Sequence, residues 1–154
     1  MAQTTGYGFT STVAQAGQKV DMMFDTVGSY AAEGVVPFGV GLVQGTADDQ
    51  AKVADSAAGA FIGVSLFTHA KEQSLAGVAE YADTDAVSVL EEGRVWMETV
   101  GAFTKNAPVY IIVAAGATQG QATATATANL GPVGKFKTSG TGALAQVELD
   151  TIGA

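Results

Sequence analysis

Cysteine is missing from this chain altogether, and histidine and tryptophan occur once each. Without cysteine there is no disulfide and no thiolate metal site, which fits synthesis in the cytosol and leaves an extracellular destination open. Basic residues are scarce. Seven Lys and Arg stand against fifteen Asp and Glu, a formal charge of −8, and no run of bases occurs. Gripping phosphates needs clustered cations that release counterions, so nucleic acid and anionic membranes are poor partners. Long apolar runs are lacking too. The most apolar stretch, "VYIIVAAGA", falls far short of the roughly 18 residues a membrane span requires. The start, "MAQTTGYGFTSTVAQAG", has neither a basic nor an apolar leader region, so no secretion signal is expected and the protein reads as soluble.

What is present points to strands. The chain has 154 residues, 47% of them hydrophobic, enough for one domain with a real core, although much of that share is alanine. Twenty glycines beside only three prolines suggest many turns and close backbone approaches. Residues 1–30 are polar and small, interrupted by Tyr7, Phe9, Met22, Met23, Phe24 and Tyr30. A segment of that kind cannot bury itself alone, and the aromatic spacing suits an extended arm lying across its own or a neighbouring chain. The division expected is therefore an arm, 1–30, and a β-rich domain, 31–154.

Alternating patterns dominate from "VVPFGVGLV" onward, with Phe38, Val40 and Leu42 on one side of a strand and Gly39 and Gly41 on the other. In "AFIGVSLF" Ile62, Val64 and Leu66 alternate with Phe61, Gly63, Ser65 and Phe67. Between these lies a stretch that fits either a capped helix or a turn followed by a short strand near Lys52 and Val53, with the strand slightly favoured. "DAVSVLEEGRVWM" reads as a hairpin. Glu91, Glu92 and Gly93 would form its loop, Gly93 taking the positive φ of a bulge, and Val89 would pair with Val95 and Val87 with Met97. That register leaves Trp96 on the more polar face, under a second sheet or another chain. "APVYIIV" reads as a central strand and "QATATATANLG" as an exposed strand or loop outside the core. In the last strand Ala145, Val147 and Leu149 point inward. Seven to nine short strands imply an antiparallel β-sandwich or a barrel-like domain.

Candidate chemistry is thin. "GVGLVQG" imitates a dinucleotide loop, but its first glycines fall inside a strand and no βαβ unit follows, so glycines packed under neighbouring backbone are preferred. His69 has no nucleophile elbow near it, and Asp48–Asp49, Asp83–Asp85 and Glu91–Glu92 do not continue into calcium loops. No catalytic, cofactor-binding or metal residue is expected, and an enzyme is disfavoured. Contact surfaces remain, and Tyr7, Phe9, Phe24, Tyr30 and Trp96 are the candidates for contact with a partner or a second copy.

The ordered phrases "PFGVGLV", "AGAFIGVSL", "DAVSVLEEGRVWM", "NAPVYIIV" and "GPVGKFKTSGTGALAQVEL" resemble the head decoration, or structural cement, proteins of tailed bacteriophages. The resemblance runs from about residue 35 to 150 and does not account for the Ala/Thr segment. It implies a β-rich protein, made in the bacterial cytoplasm, that binds the outside of the virion capsid as a homotrimer or homodimer and bridges major capsid subunits. It implies no catalysis, cofactor, nucleic acid or membrane. The competing readings are a tail, baseplate or carbohydrate-binding β module and, further off, a small enzyme with paired acids.

Overall fold

In the computed structural model, residues 14–22, 24–68 and 80–150 are described. They form strands, and no helix occurs among them. In chain order the strands are β1 (Thr26–Ala32), β2 (Val36–Pro37), β3 (Gly41–Gln44), β4 (Gln50–Val53), β5 (Phe61–Ser65), β6 (Glu80–Tyr81) and β7 (Ala86–Met97). There follow β8 (Thr99–Val100), β9 (Ala102–Phe103), β10 (Pro108–Ile111), β11 (Ala122–Thr123), β12 (Leu130–Phe136), β13 (Gly140–Thr141) and β14 (Ala145–Leu149).

Five of them close a ring. β1 pairs with β4, β4 with β3, β3 with β5, β5 with β7, and β7 returns to β1. Each strand of this barrel therefore has two hydrogen-bonded neighbours, which removes the open edges of a flat sheet. A second sheet runs β7–β14–β12–β10–β11–β8. Because only Glu98 separates the end of β7 from the start of β8, this sheet curls back to the chain from which it began.

Two apolar clusters match the two lobes. The smaller contains Ala32, Leu42, Ala51, Val87 and Val89, with Tyr30, Val53 and Ile62 against it, so every barrel strand contributes. Tyr81 is sealed into the same cluster, its hydroxyl donating to the Leu66 carbonyl at 2.8 Å. The larger joins Val43, Val64 and Leu90 from the barrel wall to Met97, Val109, Ile111, Phe136, Val147 and Leu149 of the second sheet. Phe103 stacks on Phe136 there, with ring centroids 4.8 Å apart. Buried Ser65 is satisfied by donating to the Pro37 carbonyl at 2.7 Å while accepting from the Val40 amide, as burial of a hydroxyl requires.

The hairpin expected at Glu91–Gly93 does not form. Residues 86–97 are one continuous strand, and Val89 pairs with Ser65 and Gly28 while Val95 pairs with Val147. The reason lies in the neighbours. β1 and β5 are available to the first half and β14 to the second, and pairing with them buries Val87, Val89, Val95 and Met97 without folding β7 on itself. Gly93 does take a positive φ, 130°, but it adjusts the course of a strand rather than closing a loop. Glu91 and Glu92 are half-buried, not at a tip.

Two further expectations are corrected. Ala122 and Thr123 open the Ala/Thr segment but are buried in β11, because their small side chains let that strand pass close between β10 and β8; the exposed part is 125–128. The strand expected through Phe38 breaks at a turn there, with Gly39 at φ 72°. A side chain on Gly39 would strike the Gly17 backbone, so this glycine is a packing glycine. By contrast, residues 46–53 do form the turn and strand, Pro108 opens β10, and Ala145, Val147 and Leu149 are buried as their alternation implies.

Candidate interaction surface

The most unusual feature arises from a mismatch between two paired stretches. Lys19 bridges to Val95, and the Val20 amide donates to the Arg94 carbonyl at 3.1 Å. The next pair along the same edge of β7 is Thr26 with Glu92. Opposite the single residue Gly93 the chain thus inserts residues 21–25, "DMMFD". Gly93 makes room for them, since a Cβ there would sit 2.9 Å from the Asp25 Cβ.

Two of the inserted residues project. Met22 and Phe24 are both 100% exposed, and Val27 beside them is 46% exposed. Ion pairs pin the two ends: Lys19 to Asp25, and Arg94 to Asp21 at 3.3 Å. The stem is held further by the Gly17 amide donating to the Trp96 carbonyl at 2.8 Å and the Trp96 amide to the Gln18 carbonyl at 2.9 Å. Gly17 is wedged at φ 83° among the backbones of Gly39, Ser65 and Phe67, where no side chain fits.

Arg94 extends this pinning across the outer face of the second sheet. Its Nε donates to Glu148 at 2.8 Å, and Lys137 approaches the same carboxylate at 3.3 Å. The hydrogen bond from Arg94 holds the Glu148 carboxyl below its ordinary value, with Lys137 assisting and burial opposing. The Arg94 guanidinium is raised in turn, first by the bond to Glu148.

The candidate contact residues fare differently. Tyr7 and Phe9, like His69, lie outside the described residues. Phe24 stands free in solvent. Tyr30 packs against the barrel core and donates to Glu91 Oε1 at 2.7 Å, which raises its pKa, and so is tied inward as well as partly exposed. Trp96 is half-buried, its backbone covered by residues 17 and 18 of the same chain and paired with Gln146. Met22 was readable only as one apolar residue in a polar stretch; the flanking aspartates were the available signal.

Concave features are modest. One of about 390 Å³ is lined by three glutamines, Phe38 and Phe67, with Glu98 as its one carboxylate. Another, of about 470 Å³, lies between the starts of β5 and β12 and has Asp150 as its one charged residue. No group of three or more metal-ligating side chains gathers among the described residues.

Among the described residues the body is built of strands around two apolar clusters, with Met22 and Phe24 standing in solvent beside it. The model of the structural cement proteins (E217 gp24/Pam3 gp6) matches residues 2–150, and the chain belongs to that family. Among solved structures it is similar to a chain in the capsid of Myoviridae phage XM1, at 19% identity, with 90% of this chain and 91% of that chain covered and a TM-score of 0.75. A likeness at that identity speaks for a common fold. No curated protein matches it. The role carried by the family is capsid stabilisation in the virion, in association with capsid proteins.

Proposed function

We propose that this protein binds the outer surface of the phage head, bridges adjacent major capsid subunits and does so without a catalytic step. The observation that carries this reading is the family match across residues 2–150. The acidic balance supports an outer position, since a charge of −8 has nothing to offer packaged DNA. Cement works by many modest contacts. Once one contact forms, the next is effectively intramolecular, so weak sites sum into firm attachment over a lattice. Assembly as a small homo-oligomer, trimer or dimer, would multiply those contacts.

Residues 1–13 are proposed to add contact through Tyr7 and Phe9. The binding test is direct: purified protein mixed with undecorated heads should appear as added density on the outside of the shell, and treated heads should survive heating or chelation better. Heads that stay bare at saturating protein would refute the assignment. Removing residues 1–13 should weaken binding and leave the melting curve of the β body unchanged; equal affinity would remove the arm from the contact.

A further inference from the structure

We infer that the outer face of the second sheet docks on the acidic end of the barrel of a second copy of this chain, joining two antiparallel copies through two equal contacts. The inference rests on the homo-oligomer part of the cement reading and not on binding to heads. Charge is divided unevenly along the molecule. Among the described residues from 26 to 92, Lys52 is the one cation, and Asp55 holds it at 2.8 Å. From 93 to 150, Arg94, Lys105, Lys135 and Lys137 stand against Glu98, Glu148 and Asp150. The acid excess behind the formal charge of −8 therefore sits in the barrel.

The docking face follows from register. Phe136, Val147 and Val95 turn into the larger core. Their neighbours Lys135, Glu148 and Arg94, paired in that order across β12, β14 and β7, therefore share the outer face. Lys137 and Trp96 lie on the same face, on either side of Gln146. Glu148 already holds Arg94 and Lys137. Lys135 is exposed and makes no ion pair among the described residues, and the same is true of Lys105, whose turn is bonded to the end of β12 through the Asn106 amide and the Phe136 carbonyl. Two free cations beside a tryptophan suit an acidic partner.

That partner surface is present on the chain itself, where β7 starts. The Ala31 amide donates to the Asp49 carbonyl and the Ala32 amide to the Asp85 carbonyl, both at 2.8 Å, and the Gly34 amide donates to Asp83 Oδ1. These bonds gather the turns that carry Glu33, Asp48, Asp49 and Asp83, with Val35, 54% exposed, among them. Roughly 30 Å of strand separates this end from Trp96, whereas charges in cellular salt are screened beyond about 8 Å. The two surfaces cannot neutralise each other within one molecule. Two copies laid antiparallel place each docking face on the other's acidic end, a closed two-fold pair in which every contact occurs twice. Like ends repel, so the same charges fix the orientation.

The test is sedimentation of the full chain at low and high salt. The parent should pair at low salt and come apart as salt rises. Lys105→Glu with Lys135→Glu should weaken pairing at least about tenfold, and so should Asp48→Lys with Asp49→Lys. All four side chains are exposed and make no ion pair among the described residues, so circular dichroism should match the parent. Mixing the two variants should restore pairing, because each reversed surface then meets its complement. Variants that each pair as the parent does overturn the assigned surfaces, and a mixture without recovery overturns the reciprocal contact. A parent that stays monomeric at every concentration and salt overturns the homo-oligomer as well. Bare heads, in the separate decoration assay, would overturn the cement reading and leave the pairing result standing.

Discussion

The two halves of β7 look alike in sequence and live in different surroundings. In the first, Val87 and Val89 turn into the barrel, and β1 and β5 flank the strand and close a ring. In the second, Val95 and Met97 turn into the larger core, β14 takes one edge, and residues 17–20 take the other. One alternating pattern thus serves two lobes, and what separates them is the supply of neighbours, not the strand itself. The difference also bears on the exposed pair: where β7 passes from one regime to the other, the chain beside it loses step, and Met22 and Phe24 stand in solvent there.

If one strand couples both lobes, each should report damage to the other. Phe136→Ala in the larger core and Leu42→Ala in the barrel are expected to cost about 3–5 and about 2–5 kcal/mol respectively, and each should shift one common transition in chemical denaturation. Two separated transitions would show that β7 does not couple the lobes. Gly93→Ala attacks the junction. Placing a Cβ at φ 130° against Asp25 should cost about 1–3 kcal/mol, read from the denaturant midpoint; a neutral result would mean that the passage of β7 between the lobes does not depend on this glycine. Tyr30→Phe deletes the bond to Glu91 on the barrel side and should cost roughly 0.5–1.5 kcal/mol, measured by denaturant midpoint.

Acid sharpens the comparison with the smallest effect. Glu148 serves the second half of β7, and its folded-state pKa is depressed by Arg94. Its contribution is therefore complete above its ordinary value of 4.5 and is lost as the pH falls below that, through the lower folded value. Melting temperatures between pH 7 and pH 3 should drop on the acid side, and Glu148→Gln should flatten part of that drop. An unchanged acid limb would mean that the Arg94 cluster adds nothing to stability.

Much of the fold was legible because it is local. Pro108 opening β10, the inward Ala145, Val147 and Leu149, and the turn before β4 each follow from neighbouring residues. The β7 hairpin misled because a positive-φ glycine after two acids suits both a turn and a bend within a strand, and the choice was made by β1 and β14, distant in the chain. Ala122 and Thr123 misled for another reason: they are buried by the closeness of the backbones around them, which small side chains permit and hydrophobicity does not reveal. At the interaction surface, Phe24 stood out as an aromatic in a polar stretch. What could not be read was that residues 17–20 and 26–31 would grip the same strand and present it.

The ring closure has one more bearing on a protein that coats a shell. Neighbouring copies crowded together for the life of a particle would be prone to zip into fibrils if they offered unpaired strand backbone. In the barrel that capacity is already spent within each molecule, since all five strands are flanked on both sides. Dense packing there can bring side chains together without inviting one copy to thread into the next.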